Sequence, residues 1–183
     1  MERRDLLRAL GAAAALTLLP RDAEAAWARL ARAPGAPLRA LNASQAAQVA
    51  ALADVVLPRT DTPSATDVGV VAWVDLIVAD YYKDAERTQF TEGLAAIDAL
   101  AQGGTTGGIG YGPEAAASLI DALERGDRRA AAGSAWWRLK GLVLHGYFTS
   151  EKVQKEVLKM NIMPGKFDGD APMRVPAGGH SRG

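Results

Sequence analysis

Residues 67–82, DVGVVAWVDLIVADYY, carry Val70, Trp73, Val74, Ile77 and Tyr81 at helical spacing. Apolar residues recurring every three to four positions form one stripe of an α-helix, whereas a strand would need alternation with period two. The same period appears on both sides of this stretch. Downstream, Phe90, Leu94, Ile97 and Ala101 mark the inner face of a second helix, ended by Gly103 and Gly104. Upstream, Val49, Leu52, Ala53 and Val56 follow the start signal Leu41-Asn42-Ala43-Ser44-Gln45, in which Asn42 is the N-cap and Gln45 completes a capping box. Pro58 stops that helix, and the polar run Arg59 to Thr66 reads as an ordered turn.

After a segment with six glycines between Gly103 and Gly112, Pro113 suits a first helical position. Ala116, Leu119, Ile120 and Leu123 then face inward and Gly126 is the stop. Asp127 is expected to cap a further helix with Ala132, Trp136, Leu139 and Val143 inside, and a short last helix is expected from Ser150, with Val153 and Val157. Residues 26–40, with Pro34, Gly35 and Pro37, read as a linker or arm. Beyond Met160 the chain is expected to be irregular, and residues 173–183 are expected to be a disordered tail. The expected fold is therefore all-α: a single compact bundle of about six helices over residues 41–172, with an irregular C-terminal segment.

Composition narrows the chemistry. The 183 residues include 21 basic and 21 acidic side chains, so no basic face is available to neutralise phosphates and a nucleic-acid partner is not expected. There is no cysteine. That excludes disulfides, thiolate zinc sites, cysteine-held iron–sulfur clusters, thioether haem attachment and a thiol nucleophile. Much of the 49% hydrophobic content is alanine, a strong helix former with little volume.

Residues 1–25, MERRDLLRALGAAAALTLLPRDAEA, join a basic start to an apolar run from Ala9 to Leu19 and a small-residue end. The run is about half of the ~20 residues needed to span a bilayer, so the segment reads as an export leader, with Ala23-Glu24-Ala25 fitting the Ala-x-Ala cleavage pattern. Arg3-Arg4 before Asp5-Leu6-Leu7-Arg8 resembles a twin-arginine signal; the alternative is a general secretory signal. Periplasmic localisation follows in either case. The twin-arginine route carries folded proteins, which points to a carrier whose cargo is a partner chain.

Few residues offer catalysis. The glycine-rich segment matches neither phosphate-binding motif, and no strand precedes it. His145 sits near a helix C-terminus, where interaction with the last carbonyls is expected. A nucleophilic arrangement would need Ser134, about three turns away on the same helix, or Ser150, which suits a cap better. Asp75, Asp80, Asp84 and Asp98 read as solvated. Trp136 and Trp137 are about 100° apart on their helix, so they cannot share one core stripe. Either one of them serves a partner surface, where tryptophan is enriched, or both wrap the edge of a small bundle.

Three segments in order carry a resemblance: Leu57-Pro58-Arg59-Thr60-Asp61-Thr62-Pro63 with Gly69-Val70 following, then Gly146-Tyr147-Phe148-Thr149-Ser150, then Pro164-Gly165-Lys166-Phe167-Asp168-Gly169. Together with the leader they resemble the gluconate 2-dehydrogenase subunit 3 family over roughly Ala43 to Pro172. Ser64 departs from the glycine that the family commonly has after the proline. The resemblance implies a periplasmic, non-catalytic small subunit that supports maturation and export of a large subunit lacking its own signal. That partner would be an FAD-dependent dehydrogenase of the glucose–methanol–choline type acting on a sugar, glycoside or polyol, often with a c-type cytochrome subunit. FAD belongs to the partner, this chain binds no cofactor or metal of its own, and the twin-arginine translocase exports the pair; any association with the inner membrane would come through its partners. No catalytic residue is carried over. Pro58, Thr60, Asp61, Thr62, Pro63, Trp137, Tyr147, Phe148, Thr149, Ser150, Pro164, Gly165 and Phe167 are expected only as structural or subunit-contact positions. Two other readings stay open: an independent periplasmic enzyme, which needs clustered titratable groups, and a haem-binding electron-transfer module ligated by His145 with Met160 or Met163.

Overall fold

A computed structural model of the chain describes residues 23–33, 35–102 and 112–159. Arg3 and Arg4, most of the glycine-rich segment, Met160, Met163 and the motif holding Pro164, Gly165 and Phe167 lie outside the described residues. Within them the chain is all helical, as the periodicity requires. Six α-helices are described: α1 (Ala23–Arg32), α2 (Ala43–Val56), α3 (Val70–Asp80), α4 (Asp84–Gln102), α5 (Pro113–Arg125) and α6 (Ala131–Thr149). A 3-10 turn at Thr66–Val68 precedes α3, and a π-turn at Val153–Val157 follows α6.

Helix α6 is the hub and touches each of the other five. Its longest seam is with α4. A Cβ on Gly93 of α4 would lie 2.3 Å from the Ala135 Cβ and 2.8 Å from the Ala131 carbonyl oxygen, so only glycine lets the two backbones come this close. Small residues bring the helices together, and a few large side chains supply the core volume: Trp73, Trp136 and Phe90 are wholly buried, with Leu52, Ile77, Leu94, Ile97 and Leu139 around them. Each such side chain removed from water contributes about 1.5–3 kcal/mol, which makes this core the main source of stability.

The start of α2 is built as its sequence predicts. Asn42 Oδ1 accepts from Gln45 N–H at 2.9 Å, and Gln45 Oε1 accepts from Asn42 N–H at 3.0 Å. Three other expectations need correction. The supposed arm includes α1, whose Ala26 is buried and whose Trp27 and Leu30 pack against the core. Tyr81 is 39% exposed because α3 ends at Asp80; Tyr82 turns inward instead and meets Phe90 edge-on at 5.8 Å. Burial raises the Tyr82 phenol to about 12. Asp127 does not cap α6, which begins at Ala131. Its carboxylate accepts from Arg129 N–H at 2.9 Å and holds a turn ahead of the helix. The short element expected after Ser150 is present as the π-turn, with Val153 buried and Val157 packed against the core.

Asp75 is the largest surprise. Its place on a helix face reads as solvated, yet it is buried at 4% exposure within α3, in a run otherwise apolar from Val70 to Ala79. Its Oδ1 accepts from the backbone N–H groups of Arg39, Ala40 and Leu41 at 3.1, 2.8 and 2.9 Å, and its Oδ2 also accepts from Arg39 N–H at 3.0 Å. A carboxylate with that many donors tolerates burial. Asp75 thus fastens the segment that enters α2 onto α3.

Candidate functional site

The first two sequence motifs meet at one corner of the bundle. The loop from α2 to α3 closes on itself where Ala65 N–H donates to the Leu57 carbonyl at 3.0 Å. Asp54 on α2 then takes two bonds from Thr66, one from its N–H at 2.9 Å and one from its hydroxyl at 2.7 Å. Ser64 and Asp67 bond reciprocally: Ser64 N–H donates to Asp67 Oδ2 at 2.8 Å and Asp67 N–H donates to Ser64 Oγ at 3.4 Å. The Ser64 N–H and Oγ hold the Asp67 carboxyl below the usual carboxylate range, with help from the paired Arg59 guanidinium. The Ser64 hydroxyl adds bonds that glycine could not make here, to Asp67 N–H and, at 3.1 Å, to Thr66 Oγ1. At its tip Pro58, Arg59, Thr60 and Asp61 are exposed, and the Thr60 hydroxyl bonds Asp61 at 3.0 Å and Thr62 at 3.2 Å. Pro63 is half-buried.

The end of α6 supplies the second motif, and most of its side chains are consumed internally. A Cβ on Gly146 would stand 2.5 Å from Trp73 Cδ1, so the motif's glycine admits the Trp73 ring. The Tyr147 hydroxyl donates to the Pro63 carbonyl at 2.8 Å. Thr149 Oγ1 accepts from Trp27 Nε1 at 3.0 Å and donates to the His145 carbonyl at 2.6 Å. Ser150, buried, donates from Oγ to the Tyr147 carbonyl at 2.7 Å and accepts from Val153 N–H at 3.4 Å, so it caps the following turn. Phe148 is the exception. It is 44% exposed and rests edge-on against Tyr147 at 5.3 Å.

Behind this corner Trp27 stacks on Trp73 at 5.0 Å, and the His145 ring lies 5.5 Å from the Trp73 ring. His145 Nδ1 is buried without a hydrogen-bond partner, instead of bonding the last carbonyls of α6 as expected, and burial lowers its pKa. Trp137 is partly buried, with the Arg128 guanidinium 3.7 Å above its ring. Trp136 is wholly buried. Among the described residues no three His, Asp or Glu side chains converge to hold a metal ion, and no described helix is long and apolar enough to cross a membrane.

A family model described as gluconate 2-dehydrogenase subunit 3 matches residues 43–165. The chain belongs to this family. The match opens at the first residue of α2, takes in every helix from α2 to α6, and contains the Pro58–Pro63 and Gly146–Ser150 motifs whole. No curated protein and no solved structure matches the chain. In this member of the subunit 3 family, the first two motifs are therefore one structural unit: a loop and a helix end tied by Tyr147 and Pro63, with Phe148 presented outward.

Proposed function

We propose that this chain is a non-catalytic small subunit of a periplasmic dehydrogenase complex. It binds a flavoprotein of the glucose–methanol–choline type, supports that partner's maturation and takes it through the twin-arginine translocase. FAD and the oxidation of the sugar, glycoside or polyol belong to the large subunit, and a c-type cytochrome is the third component where one is present. The observation that carries this reading is the family match across residues 43–165. The corner described above supports it: four residues of the Gly146–Ser150 motif are engaged inside the fold, while Phe148 offers an aromatic side chain to water, the kind of residue that anchors interfaces.

The export part of the proposal is tested by replacing Arg3 and Arg4 together with Lys and fractionating cells that make both subunits. Both chains should then be retained in the cytoplasm. A flavoprotein that still reaches the periplasm would refute co-export while leaving subunit binding to be judged separately.

A further inference from the structure

The bond between Ala25 and Ala26, where the Ala-x-Ala pattern would be cut, lies in the first turn of α1. Residues on its C-terminal side are engaged one after another. Ala26 is wholly buried. Trp27 stacks on Trp73 with ring centroids 5.0 Å apart and an interplanar angle of 22°, and its Nε1 donates to Thr149 Oγ1 at 3.0 Å. Arg29 pairs with Asp80 at 3.0 Å, and Leu30 packs against the core. Endoproteases take their substrates as extended strands, so a helical bond followed by a buried residue is a poor substrate until the helix opens.

We propose that docked α1 shields the Ala25–Ala26 bond, so that a folded chain is cut there only from a state in which α1 has left Trp73. The inference rests on the leader reading for its biological meaning. Cleavage would then be governed by the docking of α1 through Trp27, and a chain that folds before it is processed would keep its leader for as long as α1 stays docked. Opening of this kind is local: α1 can detach while the α4–α6 seam remains closed, because its ties run to α3 and α6 through a few side chains.

The test uses the purified full-length chain and a synthetic peptide of residues 1–32, each digested by two enzymes and read by mass spectrometry for the 25–26 cut alone. Elastase cuts after alanine whatever the segment does in the cell. Leader peptidase cuts only a functional leader. Elastase should cut the folded chain at this bond about tenfold or more slowly than the peptide, because cleavage of a closed segment follows its open population. Trp27→Ala should bring the rate close to the peptide's, and Thr149→Val should raise it less, with circular dichroism confirming that both variants remain helical. Should Trp27→Ala unfold the chain, Thr149→Val and Arg29→Ala carry the comparison. Equal elastase rates for folded chain and peptide, or no acceleration in any variant, would overturn the proposal. A peptide that leader peptidase leaves intact would instead overturn the leader reading, and the elastase rates would still decide whether α1 shields the bond.

Discussion

The Tyr147 hydroxyl donates a 2.8 Å hydrogen bond to the Pro63 carbonyl across 84 residues of chain. This bond joins the two motifs, and the exposed Phe148 ring stands edge-on to the Tyr147 ring that makes it.

Tyr147→Phe keeps the ring and deletes that bond. It should lower unfolding free energy by about 1 kcal/mol in urea denaturation, the usual value for a hydrogen bond whose acceptor is left without its partner. Phe148→Ala, at a half-exposed position, should cost less than about 1 kcal/mol in the same assay, yet weaken flavoprotein binding by more than about 1 kcal/mol in calorimetric titration. If Phe148 serves only the fold, the two effects will be reversed.

Gly146→Ala drives a methyl group into Trp73, with contacts of 2.5–2.9 Å to three ring atoms. Trp73 is wholly buried and has nowhere to retreat, so the variant should lose about 1–3 kcal/mol. Gly141→Ala on the same helix meets nothing within 4 Å and should gain about 0.5–1 kcal/mol from helix propensity. Thermal unfolding of the pair separates packing from propensity.

Asp75→Ala strands three backbone N–H groups that now share one carboxylate. A loss of about 3 kcal/mol or more is expected in denaturant titration, with faster hydrogen exchange at Ala40 and Leu41. Asp80→Ala removes only surface pairs with Arg29 and Arg39 and should cost at most about 1 kcal/mol.

Burial lowers the pKa of His145, so the folded state favours its neutral form. The stability this residue contributes is complete above the unfolded value of about 6.5 and is lost as pH falls through the lower folded-state pKa. Melting temperature should therefore decline as pH falls below about 6.5, and His145→Gln should flatten that decline. The Asp67 and Asp80 carboxyls are held below the ordinary carboxylate range by Ser64 and Arg39, so their contributions are lost only at more acid pH.

Periodicity revealed the helices and most of their inward faces, because a buried stripe repeats wherever the helix runs: Phe90, Leu94, Ile97 and Ala101 are all buried as their spacing requires. It failed where a tertiary contact overrides a local signal. Trp27 lies between proline-bearing and leader segments that read as loose, and α1 docks through tertiary contacts, above all the Trp27 stack on Trp73 and its bond to Thr149. Asp127 has the chemistry of a cap but spends it on Arg129 N–H. Asp75 could have been suspected from a lone carboxylate in Val-Val-Ala-Trp-Val-Asp-Leu-Ile-Val, a run apolar on all sides, but its donors lie 34–36 residues away. At the candidate site, motif order picked out two segments that the fold brings together through Tyr147 and Pro63. It could not distinguish Phe148, which faces water, from Tyr147 and Ser150, which bond inward.

The subunit assignment is tested most directly by tagging this chain, producing it together with the flavoprotein proposed as its partner, and measuring flavin absorbance and subunit stoichiometry in the affinity-purified material. The account predicts a yellow, stoichiometric complex that loses its flavoprotein in Phe148→Ala while the tagged chain stays folded. A colourless tagged chain, recovered alone from cells that contain the folded flavoprotein, would contradict it.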